Sequence, residues 1–379
     1  MNFHAQLPYR HPSPERTAIV LVNLGTPDAP TTSAVRRYLA EFLSDPRVIE
    51  LPRWFWLPLL HGVILTVRPR RSAHAYQQVW TDQGSPLAVH SEALAKAVGA
   101  EVALQHPNVS VVSAMRYGNP NLRTVLRALH DAHTRRVLVI PLYPQYSATT
   151  TASVFDAVAD ELKTWRWLPE LRFLPDYYRA PGYIEMLADN LRPKLDPSRH
   201  LLFSFHGIPE RYVRSGDPYH CQALATARRV AEALGRPADS WSLSFQSRVG
   251  RERWLSPYTD AHLKDLAARG IRHLDVACPG FAVDCLETLE EIAMQNRDLF
   301  LESGGESFQY HACLNAGADH ASFLAKLALA QCRDWLDTPQ VAPTRAAFEA
   351  HLNTHVDARR LAADVALAGD EPVSTHSTR

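Results

Sequence analysis

TAIVLVNLGTP (residues 17–27) and HLLFSFHGIP (200–209) are the stretches on which the fold turns. Each is a run dominated by aliphatic or aromatic side chains that breaks at a glycine, Gly25 or Gly207, with a proline close behind. An apolar run of this length marks a strand buried on both faces, as in parallel sheets covered by helices. Similar runs recur at VSVVSAM (109–115), RVLVIPL (136–142), WSLSF (241–245) and HLDVAC (273–278), with weaker candidates near Leu171 and Phe308. Amphipathic stretches between them predict helices around 34–43, 91–104, 122–133, 153–164, 221–234, 259–269 and 283–297. Strand alternating with helix predicts the α/β class with parallel sheets.

The chain also repeats itself. AIVLVNLG leads to a strand ending in Met115-Arg116-Tyr117, then a helix, then RRVLVIP; LLFSFHG leads to a strand ending in Gln246-Ser247-Arg248, then a helix, then RHLDVACP. The first version is longer by about the length of 45–87, which contains WFWLPLLHGVILTV (54–67) and reads as an insertion. Two related βα units facing each other would turn their strand carboxyl ends toward one cleft, where ligands of open α/β sheets bind. The expected layout is an extension over 1–16, a first domain over 17–176 carrying the insertion, a second over 177–335 whose last helix packs back on the first, and a tail over 336–379.

Lys+Arg and Asp+Glu each number 40, so the net charge is zero, and no basic run points to nucleic acid. With 46% hydrophobic and 21% charged residues, the 379-residue chain can bury a large core, which excludes a disordered or coiled-coil protein. The N-terminus has no apolar stretch of secretory type, and the five cysteines contain no C-x-x-C, so a cytoplasmic protein with reduced thiols is expected. The apolar run 54–67 is too short to span a bilayer. Interrupted by Pro58 and His61 and bracketed by Arg53 and Arg68, it is either buried or seated in a membrane interface, where Trp54 and Trp56 would also fit. LGTPDAP stands where a dinucleotide fingerprint would be, and no phosphate-binding loop signature occurs, so no nucleotide is expected.

His206 ends an apolar strand run, a position suited to proton transfer or metal binding as well as to a structural hydrogen bond. In CPGFAVDCLETLEEIAMQN (278–296), α-helical spacing places Asp284, Glu287, Glu291 and Asp298 on one stripe. Such a stripe can be a solvated face; beginning at a strand-to-helix junction, it can also bind a divalent metal or move protons. Arg116, Tyr117, Tyr143, Tyr146, Trp254 and Tyr258 follow other strands and offer a cation, phenols and aromatic surface to a large planar or carboxylate-bearing ligand, or pack as structural residues.

LVNLGTP (21–27), SPL (85–87), MRY (115–117), PLYPQYS (141–147), FSFHGIPERY (203–212), GDPY (216–219), SFQSRVG (244–250), WLSPYTD (254–260) and PGFAVDCLETLEE (279–291) together resemble the ferrochelatases of haem biosynthesis, in consistent order from Thr17 to Leu329. The resemblance implies two Rossmann-like domains with parallel sheets facing a central cleft, a chelatase-like fold. It further implies insertion of ferrous iron into protoporphyrin IX with release of two pyrrole protons. His206 and Glu287 then look like the catalytic and metal-binding pair, with Asp284 and Glu291 on a proton path. Tyr76, Ser85, Arg116, Tyr117, Trp254, Phe281 and Asp284 would line the porphyrin pocket. The apolar insertion resembles a lip that faces the inner side of the membrane.

Where many members carry histidine after the aspartate of the acidic motif, this chain has Cys285. No cysteine follows Cys332, so no [2Fe-2S] cluster or other permanent cofactor is expected. A chelatase for cobalt, nickel or coproporphyrin, and a tetrapyrrole carrier without catalysis, are the rival readings.

Overall fold

The computed structural model describes residues 16–250 and 252–337; the expected extension over 1–16, apart from Arg16, and the tail beyond 337 lie outside the described residues. Among the described residues, eight strands form two sheets. β1 (Arg16–Thr26), β2 (Val109–Gly118), β3 (Thr134–Pro141) and β4 (Glu170–Phe173) are arranged β2-β1-β3-β4; β5 (His200–His206), β6 (Trp241–Gln246), β7 (His273–Ala277) and β8 (Ser307–His311) are arranged β6-β5-β7-β8. Every pairing is parallel: Val20 lies opposite Val112 and Val139, and Phe203 lies opposite Leu243 and Ala277. The same strand order twice is the repeat legible in the sequence, and the weak candidates near Leu171 and Phe308 are the short, partly exposed edge strands β4 and β8.

In both sheets the chain first steps to one side of the central strand and then crosses to the other. That reversal opens a crevice at the carboxyl ends of β1 and β3, and likewise of β5 and β7.

One face of each sheet feeds a single apolar cluster. Ile19 and Leu21 of β1, Leu138 and Ile140 of β3, and Leu201, Phe203 and Phe205 of β5 are buried in it together with Leu324, Ala328 and Trp335 of the helix Ala318–Asp337. The opposite faces have their own clusters, around Val20, Val137 and Val158 in one sheet and Leu202, Leu263 and Ile292 in the other. Helix Ala318–Asp337 packs on helix Pro86–Ala103 and on β3, and Arg136 donates to the Trp335 carbonyl at 2.8 Å.

Polar contacts between the loops after β3 and the helix after β5 join the halves. Asp217 accepts from Ser147 Oγ at 2.9 Å and Ala148 N–H at 2.7 Å with one oxygen, and from Tyr219 N–H at 3.0 Å with the other. Gln145 donates to Thr226 Oγ1 at 3.0 Å, and Tyr146 N–H donates to Gln222 at 2.7 Å. The five side chains in these contacts, Asp217, Ser147, Gln145, Thr226 and Gln222, are buried, so each must find its partner within the protein.

Two segments depart from α-helical expectation. The apolar insertion is helical over Arg53–Leu59, widens to a π-turn over Leu60–Ile64, and continues as helix Leu65–Val79. Pro58 and Pro69 lie inside these helices and lack the N–H that an i→i−4 ladder needs, and a wider turn between them is the expected accommodation. Glu287–Asn296 is a π-helix followed by the short α-helix Arg297–Glu302. Bonding from i to i+5 puts more than 3.6 residues in each turn, so the expected stripe does not survive to Asp298. Asp298 is instead exposed and paired with Arg297 at 2.8 Å.

Two histidines are held neutral by the fold. Burial drives His320, whose Nδ1–H donates to the Asn315 carbonyl at 2.7 Å, down to about 4. His200 shares the Ser242 hydroxyl with His262, each at 2.9 Å; burial, followed by the neighbouring His262 charge, brings it to about 4 as well. A depressed folded pKa means that the unfolded chain binds the proton more readily. This stability is therefore fully present above about pH 6.5 and is lost as pH falls toward about 4. Urea midpoints should decline through that window, and His200→Asn combined with His320→Gln should flatten the decline; an unchanged slope in the double variant would refute the assignment.

Candidate active site

His206 is the last residue of β5, half-buried at the crevice edge. Its Nδ1 lies 2.6 Å from the Gly207 carbonyl oxygen. A carbonyl can only accept, so Nδ1 carries the proton and the lone pair of the neutral ring is on Nε2. Gly207 is required beside it, because an added Cβ would meet the Gln246 carbonyl at 2.9 Å and the Trp254 ring at 3.2 Å. The Trp254 ring centre is 6.4 Å from that of His206, and its indole nitrogen is buried with no hydrogen-bond partner among the described residues.

The π-helix supplies the acids. Ser247, directly after β6, has a left-handed backbone with φ of 66° that aims its N–H at Glu291 Oε1, 2.7 Å away, and its hydroxyl at Glu291 Oε2. Burial raises the Glu291 carboxyl above its ordinary range, opposed by the Ser247 bonds and the charge of His206 and reinforced by Glu287. His206 and Glu287 thus both lie close enough to Glu291 to act on its carboxyl. Gln246 Nε2 donates to the Glu287 carbonyl at 2.9 Å and fixes the start of the π-helix against β6.

Glu287 faces the lip. Burial is the largest influence raising the Tyr76, Tyr38 and Cys285 groups, and the Glu287 charge raises each further. Arg68, on the lip helix, has its guanidinium pKa lowered by burial, and Glu287 opposes that shift. Sequence reasoning took Arg68 only as a bracket on the apolar run; its role depends on the lip folding over the π-helix.

Asp284 reaches the same junction, but its carboxylate is engaged by Tyr310 Oη at 2.5 Å, Asn315 Nδ2 at 2.7 Å, Thr288 Oγ1 at 3.0 Å and Cys313 N–H at 3.4 Å. Such a filled set of donors anchors the loop between β7 and the π-helix. Phe281 is half-buried in that loop, touching the shared core and the cluster behind the second sheet. Ser85 is buried and accepts from Thr26 Oγ1 at 2.8 Å, tying the residue before helix Pro86–Ala103 to the end of β1.

Arg116 and Tyr117 meet an acid that sequence reasoning missed. Asp45 Oδ2 accepts from Arg116 at 2.5 Å, Tyr117 Oη at 2.8 Å and Ser153 Oγ at 2.6 Å, while Oδ1 accepts from Arg47 N–H at 2.7 Å. Despite burial, these bonds hold the Asp45 carboxyl below its ordinary value. Tyr117 is 1% exposed, so both residues secure the base of the lip, and Arg116 alone keeps a partly open side. Nearby, Tyr143 Oη is buried with no hydrogen-bond partner among the described residues. No group of three or more His, Cys, Asp or Glu side chains among the described residues is arranged to hold a metal ion.

The sequence model of the ferrochelatase family matches residues 16–332. A ferrochelatase from Azoarcus sp. is 52% identical over 353 residues, covering 92% of this chain and 96% of that protein. One from Thioalkalivibrio sulfidiphilus is 50% identical over 339 residues, covering 88% and 92%. Among solved structures, SirB from Bacillus subtilis with Fe3+ aligns with a TM-score of 0.47 at 12% identity, covering 85% of this chain and 99% of that one.

Asp45→Asn should cost about 2–3 kcal/mol, the range for hydrogen bonds to charged groups, because it leaves the Arg116 guanidinium half-desolvated without its counter-charge. Thermal unfolding checks this. A midpoint within one degree or so of the wild type would show that the clamp contributes nothing.

Proposed function

The chain belongs to the ferrochelatase family and inserts ferrous iron into protoporphyrin in haem biosynthesis, and on that premise we propose that His206 is the base that accepts the pyrrole protons. The observation that carries this is the bond from His206 Nδ1–H to the Gly207 carbonyl, which keeps the Nε2 lone pair available beside Glu291 and Glu287. Each of two pyrrole nitrogens gives up a proton, and the electron pair left behind binds the dication, so the product is neutral at its centre. His206 must be neutral to start each turnover and must discharge its proton before the next.

Glu287 and Glu291 receive those protons and, as carboxylates, attract the incoming cation. Asp284, with both carboxylate oxygens accepting hydrogen bonds, serves them by holding the start of the π-helix in place. The macrocycle lies between the lip, with Tyr76 and Arg68, and the wall formed by His206, Trp254 and Phe281. Arg68 offers a positive charge to its carboxylates. Gripping the ring from both sides bends it and exposes nitrogen lone pairs that a planar ring hides, at a strain of about 1–5 kcal/mol drawn from peripheral contacts. The two halves acting in this way are residues 17–176 and 177–335. Iron enters as substrate.

No helix among the described residues is long and apolar enough to cross a membrane. The lip nevertheless exposes Trp54 at 81%, Val67 at 71% and Val63 at 54%, with Arg70 and Arg71 exposed on the same helix as Val67. Apolar side chains with flanking cations suit the interface of an anionic bilayer, and a poorly soluble porphyrin would enter from there. Trp54→Ser with Val67→Ser should abolish co-sedimentation with anionic vesicles while leaving the fold intact; retained binding would exclude the lip as the contact.

Anaerobic mixing with ferrous iron and protoporphyrin IX, followed by loss of porphyrin fluorescence, tests the central assignment. His206→Ala should lose at least about 100-fold in turnover, the lower end for a general base, with porphyrin affinity within threefold of the wild type. Turnover at the wild-type rate would remove His206 from the mechanism.

A further inference from the structure

Residues 45–50, from which the lip rises, cross between the two halves of the molecule. On the first-half side, Asp45 is fixed by Arg116, Tyr117 and Ser153, and Arg47 Nε lies 2.7 Å from Asp156 of helix Ser153–Leu162. On the second-half side, Tyr212 Oη donates to the Val48 carbonyl at 3.0 Å and Arg211 donates to Glu50 at 2.9 Å. The same guanidinium lies 2.5 Å from Glu252 and 4.3 Å from the Tyr212 ring centre. Arg211 sits in the short helix Glu210–Arg214 close behind His206, and Glu252 stands shortly before Trp254. A main-chain bridge between Pro209 and Trp254 holds these two loops together.

One planar fork thus connects three pieces: the base of the lip, the loop after His206 and the loop carrying Trp254. An arginine can hold two carboxylates at once in fixed geometry, which a lysine cannot. Its environment differs from that of Asp45. The Asp45 side chain is 4% exposed, whereas Arg211, Glu50 and Glu252 are 38–43% exposed, so the second attachment is screened by salt and readily broken. The lip is therefore fixed firmly to the first half and held to the second by contacts that include a labile ion pair.

We propose that Arg211 is a positioning residue that sets the opening between the lip and the His206–Trp254 wall, and with it the rate at which porphyrin and its iron complex pass in and out. This rests on the reading of that cleft as the porphyrin site. Arg211 touches neither substrate nor reacting atoms; it governs how long the closed arrangement persists. Where release limits turnover, a looser lip raises kcat and KM together.

Arg211→Gln and Glu50→Gln should each raise the porphyrin dissociation rate, read by stopped-flow fluorescence without metal, and KM for porphyrin by about five- to tenfold, with kcat unchanged or higher. The double variant should show no more than Arg211→Gln alone, since Glu50→Gln removes a contact that Arg211→Gln already removes. Arg211→Lys should recover part of the loss. Wild-type KM should rise between about 0.05 and 0.5 M salt while that of Arg211→Gln stays flat. Unchanged dissociation and KM in both single variants, or a fall in kcat and thermal stability without a change in KM, would overturn the proposal. Porphyrin binding by the wild type without metal insertion would instead overturn the catalytic reading, and the dissociation rates would still decide the role of Arg211.

Discussion

Asp217 is one carboxylate with three donors, and the geometry of the whole cleft depends on where it holds them. Ser147 and Ala148 belong to the loop after β3, and Tyr219 begins the helix that follows β5. An ion buried at that junction must be satisfied by both halves at once, since losing either set of donors would leave it desolvated and unpaired. With the halves so locked, the carboxyl ends of β1, β3, β5 and β7 face one space, and the residues that follow them have fixed distances to each other.

Within that space, acid and base are separated by their supports. His206 stands on a rigid strand end with its tautomer set by a main-chain carbonyl. Glu291 is clamped by a serine held in a conformation that non-glycine residues rarely adopt. Strained backbone at a candidate site is tolerated only where its surroundings over-determine it, and here two hydrogen bonds to one carboxylate do so. The π-helix, with its wider turn, brings Glu287 toward the lip while Glu290 is buried with Gln295 as its partner.

The parallel sheets, their duplicated order and the inserted lip were legible because strands buried on both faces are written as unbroken apolar runs, which need no knowledge of their partners. The position of His206 at a strand end was legible from its place at the end of such a run. The Asp45 clamp was not: a single aspartate in a polar turn gains its meaning from Arg116, Tyr117 and Ser153, which are distant in sequence. Nor was the π-helix, since its residues are compatible with an ordinary helix and the wider turn follows from tertiary constraints such as the Gln246 bond. For Asp284 the sequence gives the location, while its saturation by Tyr310, Asn315 and Thr288 depends on β8 and the loop after it.

The shared core changes what the duplication means for folding. Ile19 and Leu21 are packed into the same cluster as Leu201, Phe203 and Trp335, contacts that close loops of very large sequence separation. Neither copy of the repeat has a complete interior, so a chain emerging from synthesis carries half a core until residues beyond 318 have been made. Loop-closure entropy of this kind slows folding and leaves apolar strands exposed in the meantime. The first half thus depends for its burial on helix Ala318–Asp337, which is made only after the strands of both sheets.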